Sequence, residues 1–523
     1  WASYPYNRHL YNNQGVLKGG TIIDSRGVVL STLSEDGERV YNEDGTIRRA
    51  TLHAVGDPAG NIGAGALTAF ADKLSGYNLL TGAYSPLGTG NSVYLTIDSE
   101  LNRVAYEALG GQNGTVGIYN YKTGEILCAV SSPTYDPDDV PDVEGNPETY
   151  EGVYVNRFLH ATYTPGSVFK LVTAAAALDE IPDIGSRTFT CEGSAVIGGE
   201  TIQCNGVHGT LNFEEALAHS CNVVFGEIAA ELGPKTLMRY AEQVGVTRRY
   251  SFDGTTTAAG SFDVSNAAES ELAWAGIGQY TDQINPCQYM TYMGAIANGG
   301  SAAEPYLVKE VTYGDSVKYK ASTSSTGRLL DSATAGRLAD MMHNAVVNVY
   351  GEWNFAGLYA GGKSGTAENG RLPMPSLQAS CRTATIPSPL SSWSRRAAAA
   401  RRSARRSSVR CSAPASLPWT PIKQKSSAGW VDSYPADFLY IFAHPVLGKI
   451  DELRRELRQL PVLHDVIFDR HGGEVHHPPQ LVLDVVHLHA VRRAVDRRKA
   501  QRADLAGVEH GADLRDGHID MRL

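Results

Sequence analysis

One short stretch of the sequence pairs a hydroxyl with an amine at the start of an apolar helix. Thr164-Pro-Gly-Ser-Val-Phe-Lys170 precedes the apolar run 171–178. Because proline and glycine end the preceding structure, the pattern predicts a helix start with Ser167 in the first turn and Lys170 one turn further on the same face. A serine beside an amine whose pKa is lowered by burial is an activated nucleophile. The alternative is a capping serine with a surface lysine.

Two further polar groups follow downstream. Ser220-Cys-Asn222 lies in a predicted helix over 213–232, and Lys363-Ser364-Gly365 lies in a predicted strand over 357–368 that ends in small residues. Each of these two motifs alone is weak evidence for a catalytic role. A serine and an asparagine are ordinary polar residues within a helix, and a lysine commonly protects an edge strand.

A second lysine triplet, Lys122-Thr123-Gly124, resembles Lys363-Ser364-Gly365 but precedes Ser167 in the chain. It lies between two predicted strands, 115–119 and 125–130. We interpret it as a hairpin turn in which Gly124 supplies the positive φ.

Composition limits the function classes. The chain has 523 residues and a net charge of -10. Its length allows two to four domains. Its net negative charge does not indicate a nucleic-acid partner, because such a protein usually has an excess of basic residues. The sequence has no apolar run of bilayer-spanning length and no signal-peptide pattern. Because the chain starts at Trp1 and not at a methionine, we interpret it as a fragment from which an N-terminal anchor or a signal has been removed.

The seven cysteines cannot all pair internally. Cys191 and Cys204 flank a predicted hairpin that turns at Gly198-Gly199. A disulfide between them is predicted if the register brings them opposite each other and the compartment is oxidising. The alternative is two free thiols.

Three regions differ in character. Residues 1–110 are predicted to form a small N-terminal β-rich pedestal, and residues 111–372 the main domain. Residues 373–523 contain runs of Arg, Ala and Ser over 394–408, and no strand or helix is predicted to continue the domain past about residue 372. We interpret this tail as the product of a shifted reading frame or as disordered; the alternative is a basic linker with a small domain.

Taken in order, Ser167-x-x-Lys170, Ser220-x-Asn222 and Lys363-Ser364-Gly365 resemble the signature of penicillin-binding proteins and serine β-lactamases. The resemblance covers about residues 19–370. It points to class B penicillin-binding proteins through further stretches of the sequence, namely 20–30, His53-Ala-Val-Gly56, Tyr77-Asn-Leu-Leu-Thr-Gly82, Leu95-Thr-Ile-Asp98, Asn156-Arg157 and Ile277-Gly-Gln279.

The resemblance implies an α+β fold, with an antiparallel sheet sandwiched by helices and a small pedestal. It implies a D,D-transpeptidase that cross-links peptidoglycan stem peptides through a serine acyl-enzyme and is acylated by β-lactams. The expected partners are stem peptides, β-lactams and a membrane glycan polymerase. The expected location is the extracytoplasmic face of the bacterial membrane, and no metal or other cofactor is expected.

The resemblance also implies residue roles. Ser167 is the expected nucleophile, Lys170 its base, Ser220 a proton relay to the leaving amine, and Asn222 a ligand of the substrate amide and of Lys170. Lys363 supplies positive charge for the substrate carboxylate. Ser364 and Thr366 bind that carboxylate, Gly365 lets the strand approach the ligand, and the N–H groups of Ser167 and Thr366 form the oxyanion hole.

Three alternatives remain open from the sequence. A serine β-lactamase needs a base that activates water, and no glutamate is placed for that role as in class A enzymes. A β-lactam sensor would be acylated without turnover, but the pedestal stretches disfavour it. An inactive, truncated transpeptidase is the third, because the sequence departs from the family pattern after Glu368.

Overall fold

The computed structural model describes residues 19–75, 90–352, 359–367 and 374–381. In chain order the elements are β1 (Thr21–Ile23), β2 (Val29–Leu33), β3 (Arg39–Tyr41), α1 (Gly45–Val55), α2 (Ala66–Ala69), α3 (Ala71–Ser75), β4 (Ser92–Leu95), α4 (Ser99–Leu109), β5 (Gly114–Tyr119), β6 (Ile126–Ser132), α5 (Arg157–His160), a 3-10 helix (Gly166–Phe169), α6 (Lys170–Glu180), β7 (Thr188–Cys191), β8 (Ser194–Ile197), β9 (Glu200–Gln203), β10 (Gly209–Asn212), α7 (Phe213–Ala218), α8 (Asn222–Gln243), β11 (Ser251–Phe252), β12 (Thr255–Thr256), α9 (Glu269–Gly276), α10 (Pro286–Ala297), β13 (Val308–Tyr313), β14 (Ser316–Lys320), α11 (Ser332–Ala345), a π-helix (Val346–Gly351), β15 (Ala360–Ala367) and β16 (Met374–Cys381).

The N-terminal strands belong to a six-stranded sheet in the order β14-β13-β4-β1-β2-β3. Asp24 stabilises the turn between β1 and β2, because its carboxylate accepts the backbone N–H groups of Arg26 and Val28. Asp98 caps α4. Strand β13, from late in the chain, pairs antiparallel with β4. The pedestal predicted for residues 1–110 therefore shares its sheet with residues 308–320.

Helix α6 forms the centre of the main core. Its residues from Lys170 to Ala177 are buried, and it packs against α8 and α11. Two tyrosines of α10 fix its start, since the Tyr289 hydroxyl donates to the Val168 carbonyl at 2.8 Å and the Tyr292 hydroxyl to the Leu171 carbonyl at 3.0 Å. The chain at Ser167 is thus held by neighbouring helices.

Five two-stranded antiparallel pairs complete the described architecture, namely β5 with β6, β7 with β10, β8 with β9, β11 with β12, and β15 with β16. Strand β15 packs against α11 and against the 3-10 helix that carries Ser167. The expected mixture of helices and antiparallel strands is confirmed. Within the described ranges, the β5–β6 and β15–β16 pairs are not joined to each other or to the six-stranded sheet.

The predicted helix over 213–232 is interrupted. Helix α7 ends at Ala218 and α8 begins at Asn222. Ser220 between them has a φ of 58°, a left-handed conformation that no α-helix accommodates. The apolar period runs through both helices, so the sequence pattern alone hides the break.

The expectation that no strand follows residue 372 was wrong. Strand β16 pairs along the whole of β15, from Ala360 opposite Cys381 to Ala367 opposite Met374. A backbone ladder forms between any two extended segments of suitable register, so the change in composition did not prevent it. The rest of the tail, 382–523, lies outside the described residues, and its interpretation stays a prediction.

The hairpin predicted between Cys191 and Cys204 is confirmed as β8 and β9, but the two cysteines are free thiols. The register explains why. The Cys204 N–H donates to the Gly193 carbonyl, so Cys204 lies opposite Gly193, while Cys191 pairs with Gly209 of β10. The predicted disulfide therefore does not form in this structure.

Among the helices that the structure describes, we find none with the length and apolar character needed to cross a bilayer.

Candidate active site

Ser167 and Lys170 lie at the junction of the 3-10 helix and α6. The Lys170 Nζ is 3.2 Å from the Ser167 Oγ. Lys170 is 0% exposed, so the alternative of a surface lysine was wrong. The predicted spacing brings the amine to the hydroxyl.

The break between α7 and α8 delivers the second group of residues to the same amine. Lys170 donates to the Ser220 carbonyl and to the Asn222 Oδ1, both at 2.7 Å, and its Nζ lies 3.2 Å from the Ser220 Oγ. A neutral amine has two N–H donors and one lone pair. The two short bonds use both donors, which leaves the lone pair for the hydroxyls of Ser167 and Ser220.

Lys363 reaches the site from β15. Its Nζ donates to the Ser220 Oγ at 2.9 Å and to the Ser364 carbonyl at 2.7 Å. Lys363 is also 0% exposed. The Ser220 hydroxyl thus lies between two amines, and a continuous polar chain connects Ser167 through Lys170 and Ser220 to Lys363.

Burial controls the charge of both amines. It lowers the pKa of Lys170 well below its usual value, and the positive charge of Lys363 lowers it further. Burial lowers the pKa of Lys363 to about 7. Because water is excluded and no carboxylate neutralises either group among these contacts, Lys170 is the better proton acceptor and Lys363 is poised to titrate near neutral pH.

The Tyr350 side chain, which was not predicted from the sequence, holds the strand at Ser364. The N–H and Oγ of Ser364 both donate to the Tyr350 hydroxyl at 3.1 Å. Gly365 and Thr366 follow in β15, and the Thr366 side chain lies outside the described residues. Tyr350 lies in the π-helix that follows α11, and no motif in the sequence indicated it.

Gly278 is a second residue whose position was not predicted. It has a φ of 82°, and its carbonyl accepts the Gly166 N–H at 2.9 Å. A Cβ at Gly278 would lie 2.1 Å from the Gly166 carbonyl oxygen. Only glycine therefore fits beside the segment that carries Ser167.

The triplet at Lys122 is a turn, as predicted. Lys122 is exposed, and the Asn120 Oδ1 accepts the backbone N–H groups of Lys122 and Thr123 at 2.9 and 3.2 Å. Gly124 has a φ of 88°.

The chain is similar to known proteins over the region that contains this site. The family model described as the penicillin binding protein transpeptidase domain matches residues 114–374. Stage V sporulation protein D of Bacillus subtilis is 30% identical over 301 residues, which cover 54% of this chain and 45% of that protein. Peptidoglycan D,D-transpeptidase PbpA of Mycolicibacterium smegmatis is 29% identical over 310 residues, which cover 54% of this chain and 62% of that protein.

Solved structures agree with this fold. The D,D-transpeptidase domain of a peptidoglycan glycosyltransferase from Eggerthella lenta has a TM-score of 0.62 and 29% identity, and the match covers 69% of this chain and 90% of that one. The penicillin G acyl-enzyme of penicillin-binding protein A from M. tuberculosis, at 23% identity and a TM-score of 0.57, shares the fold. The chain belongs to the class B penicillin-binding proteins. It matches only 45% and 62% of the two curated relatives' lengths.

Proposed function

We propose that this chain is a peptidoglycan D,D-transpeptidase that works through an acyl-enzyme on Ser167. The observation that carries the proposal is the buried Lys170 amine, 3.2 Å from the Ser167 hydroxyl, with both donors of its neutral form occupied. A relative that is 29% identical is named a peptidoglycan D,D-transpeptidase.

In the acylation step, Ser167 attacks the carbonyl carbon between two terminal D-alanines. The Lys170 lone pair takes the hydroxyl proton as the new C–O bond forms. Ser220, hydrogen-bonded to Lys363 at 2.9 Å and lying 3.2 Å from Lys170, passes a proton to the amine of the departing D-alanine as the C–N bond breaks. The amine of a second stem peptide then attacks the ester, and the same groups return the protons.

The strand side of the site binds the substrate. Lys363 carries the positive charge that attracts the terminal carboxylate. Thr366 donates a hydrogen bond to that carboxylate, and Ser364 does the same when its single hydroxyl proton turns from the Tyr350 oxygen to the substrate. The N–H groups of Ser167 and Thr366 stabilise the oxyanion, with each such donor contributing about 3 kcal/mol. This assignment is supported by the packing of β15 against the 3-10 helix. Asn222 binds the substrate amide while it orients Lys170.

The proposed partners follow from the proposed reaction. Stem peptides are the substrates, and β-lactams acylate Ser167 because their strained amide presents the same carbonyl and carboxylate. A membrane glycan polymerase would supply new strands, so the chain would act on the extracytoplasmic face of the bacterial membrane. The relative named a peptidoglycan D,D-transpeptidase supports stem peptides as the substrates.

A test compares Ser167→Ala, Lys170→Met and Lys122→Met by labelling with a fluorescent penicillin, intact-mass analysis and peptide mapping. Methionine is chosen because Lys170 is 0% exposed, and truncation to alanine would add a cavity cost of about 2–5 kcal/mol. We expect no adduct in S167A and a loss of roughly 10²–10⁴-fold in the acylation rate of K170M.

Lys122→Met is the matched control, because Lys122 is exposed in a turn, and it should acylate like the unaltered chain. An adduct that survives in S167A would remove the nucleophile from the proposal. Rapid release of hydrolysed penicillin from the unaltered chain would favour a β-lactamase instead.

A further inference from the structure

A cluster of soft metal ligands lies directly beside the catalytic groups. Cys191, Cys204, His208 and Cys221 each direct one ligand atom to a common centre, and these atoms all lie within 4.8 Å of one another. Cys191 and Cys221 are buried, while Cys204 and His208 are partly exposed. The three cysteines and the histidine come from four separate segments, which the sequence analysis did not connect.

The elements that carry the ligands explain how they meet. Cys191 ends β7, Cys204 follows β9, His208 precedes β10, and Cys221 lies between α7 and α8. Although the register does not pair Cys191 with Cys204, the sulfur atoms of both residues lie within 4.8 Å of the Cys221 Sγ. The Cys204 Sγ is 3.7 Å from the Cys221 Sγ and 3.6 Å from the His208 Nδ1.

Two of the separations match those of a tetrahedral zinc site, and all four ligand atoms lie within 4.8 Å of one another. With Zn–S bonds of about 2.3 Å and Zn–N bonds of about 2.0 Å, tetrahedral angles place two sulfurs about 3.8 Å apart and sulfur and nitrogen about 3.6 Å apart. Thiolate and imidazole ligands favour zinc over calcium or magnesium, which prefer oxygen. We propose that Cys191, Cys204, His208 and Cys221 bind one zinc ion, contrary to the expectation of no metal.

A disulfide explains the cluster less well. One disulfide would use two of the three thiols and leave the third cysteine and the histidine without a role. It would also need a sulfur–sulfur distance of about 2.0 Å, whereas the Cys204 and Cys221 sulfurs are 3.7 Å apart. All four ligand positions are protein side chains, so the site has the closed form of a structural zinc.

The proposed zinc would position the catalytic residues on either side of Cys221. Ser220 and Asn222 are its chain neighbours, and the Asn222 backbone N–H donates to the Cys204 Sγ at 3.3 Å. The Asn222 side chain also donates to the Gln203 carbonyl at 2.9 Å. The ion would therefore tie the β8–β9 hairpin to the helix break that presents Ser220 and Asn222 to Lys170.

The test uses the full chain, purified under reducing conditions, and measures zinc by elemental analysis and cobalt by absorption. Bound Co²⁺ gives a thiolate charge-transfer band that histidines or carboxylates elsewhere in the chain do not give. We expect one zinc per chain. Cys204→Ser and His208→Ala should each weaken Co²⁺ binding by more than about 100-fold, because loss of an outer-shell partner alone costs roughly 10–100-fold.

Cys128→Ala is the matched control, since Cys128 is a buried free thiol in β6, and it should keep the metal and its band. His208→Ala keeps all three cysteines and alters a partly exposed side chain, so it remains informative if C204S fails to fold. Metal removal should slow penicillin acylation by up to about 100-fold, as expected for a displacement of about 1 Å.

Absence of the thiolate band in the unaltered chain, or its persistence in both variants, would overturn the proposal. A Cys204–Cys221 disulfide found by peptide mapping of zinc-treated protein would overturn it as well. The metal measurement does not depend on acylation, so a failure here is distinguishable from a failure of the transpeptidase proposal.

Discussion

Gly278→Ala is the perturbation that most directly tests how the fold positions Ser167. The added Cβ would lie 2.1 Å from the Gly166 carbonyl oxygen and 2.9 Å from the Phe169 Cβ. An ordinary contact lies at roughly 3.5 Å, so the two segments must separate by about 1 Å. A displacement of that size costs roughly 100-fold in rate. We therefore expect penicillin acylation of G278A to fall by about 100-fold.

The stability cost has two sources. Alanine at the Gly278 φ of 82° carries a left-handed penalty of about 1–2 kcal/mol. Overpacking against the Gly166 backbone adds about 1–3 kcal/mol. The free energy of unfolding should therefore decrease by about 2–5 kcal/mol, measured by urea denaturation.

Gly299→Ala is the matched control. Gly299 has a φ of 70°, but an added Cβ there would meet no heavy atom within 4 Å. The free energy of unfolding of G299A should decrease only by the left-handed penalty of about 1–2 kcal/mol. Its penicillin acylation should be normal. If G278A acylates within about threefold of the unaltered chain, or if G299A loses as much activity, the close contact does not position Ser167.

Two further predictions concern the strand side of the site. The second-order rate of penicillin acylation should decline as the pH rises above about 7, because Lys363, with a pKa of about 7, loses the charge that attracts the carboxylate; a rate that climbs steadily to pH 10 would contradict this role. Stability should change in the opposite sense. The unfolded chain keeps the Lys363 proton up to about pH 10.4, so between pH 7 and 10.4 it binds more protons than the folded protein, and the free energy of unfolding should increase with pH across that window, as followed by denaturant titration at each pH. Tyr350→Phe removes the acceptor of two 3.1 Å hydrogen bonds from Ser364; it should slow acylation by about 3–10-fold and reduce stability by about 1 kcal/mol, and equal acylation by Y350F would show that Ser364 does not need this support.

Local chemistry in the sequence predicted much of this protein. The contact between Ser167 and Lys170 could be predicted from their spacing, because residues three apart at the start of a helix lie on the same face. Asp98 caps its helix, and Gly198-Gly199 turns its hairpin, since capping and turn formation depend on a few adjacent residues. The order of the three motifs, at Ser167, Ser220 and Lys363, likewise indicated the family.

Other features depended on contacts between distant parts of the chain. The burial of Lys170 and Lys363, and hence their lowered pKa values, comes from elements about 190 residues apart that exclude water from both amines. The left-handed Ser220 is held by its environment, because no local propensity favours it. Strand β16 formed where composition predicted none, since backbone hydrogen bonding in a ladder is indifferent to most side chains.

The cysteines show most clearly which features the local sequence predicts and which depend on the tertiary structure. The sequence correctly predicted the hairpin that separates Cys191 from Cys204, because the hairpin is local. It wrongly predicted their pairing, because pairing depends on register, and a register is fixed by the packing of the whole sheet. Only the tertiary structure brings His208 and Cys221 to these two thiols, since long-range packing, and not spacing along the chain, decides which side chains share a centre.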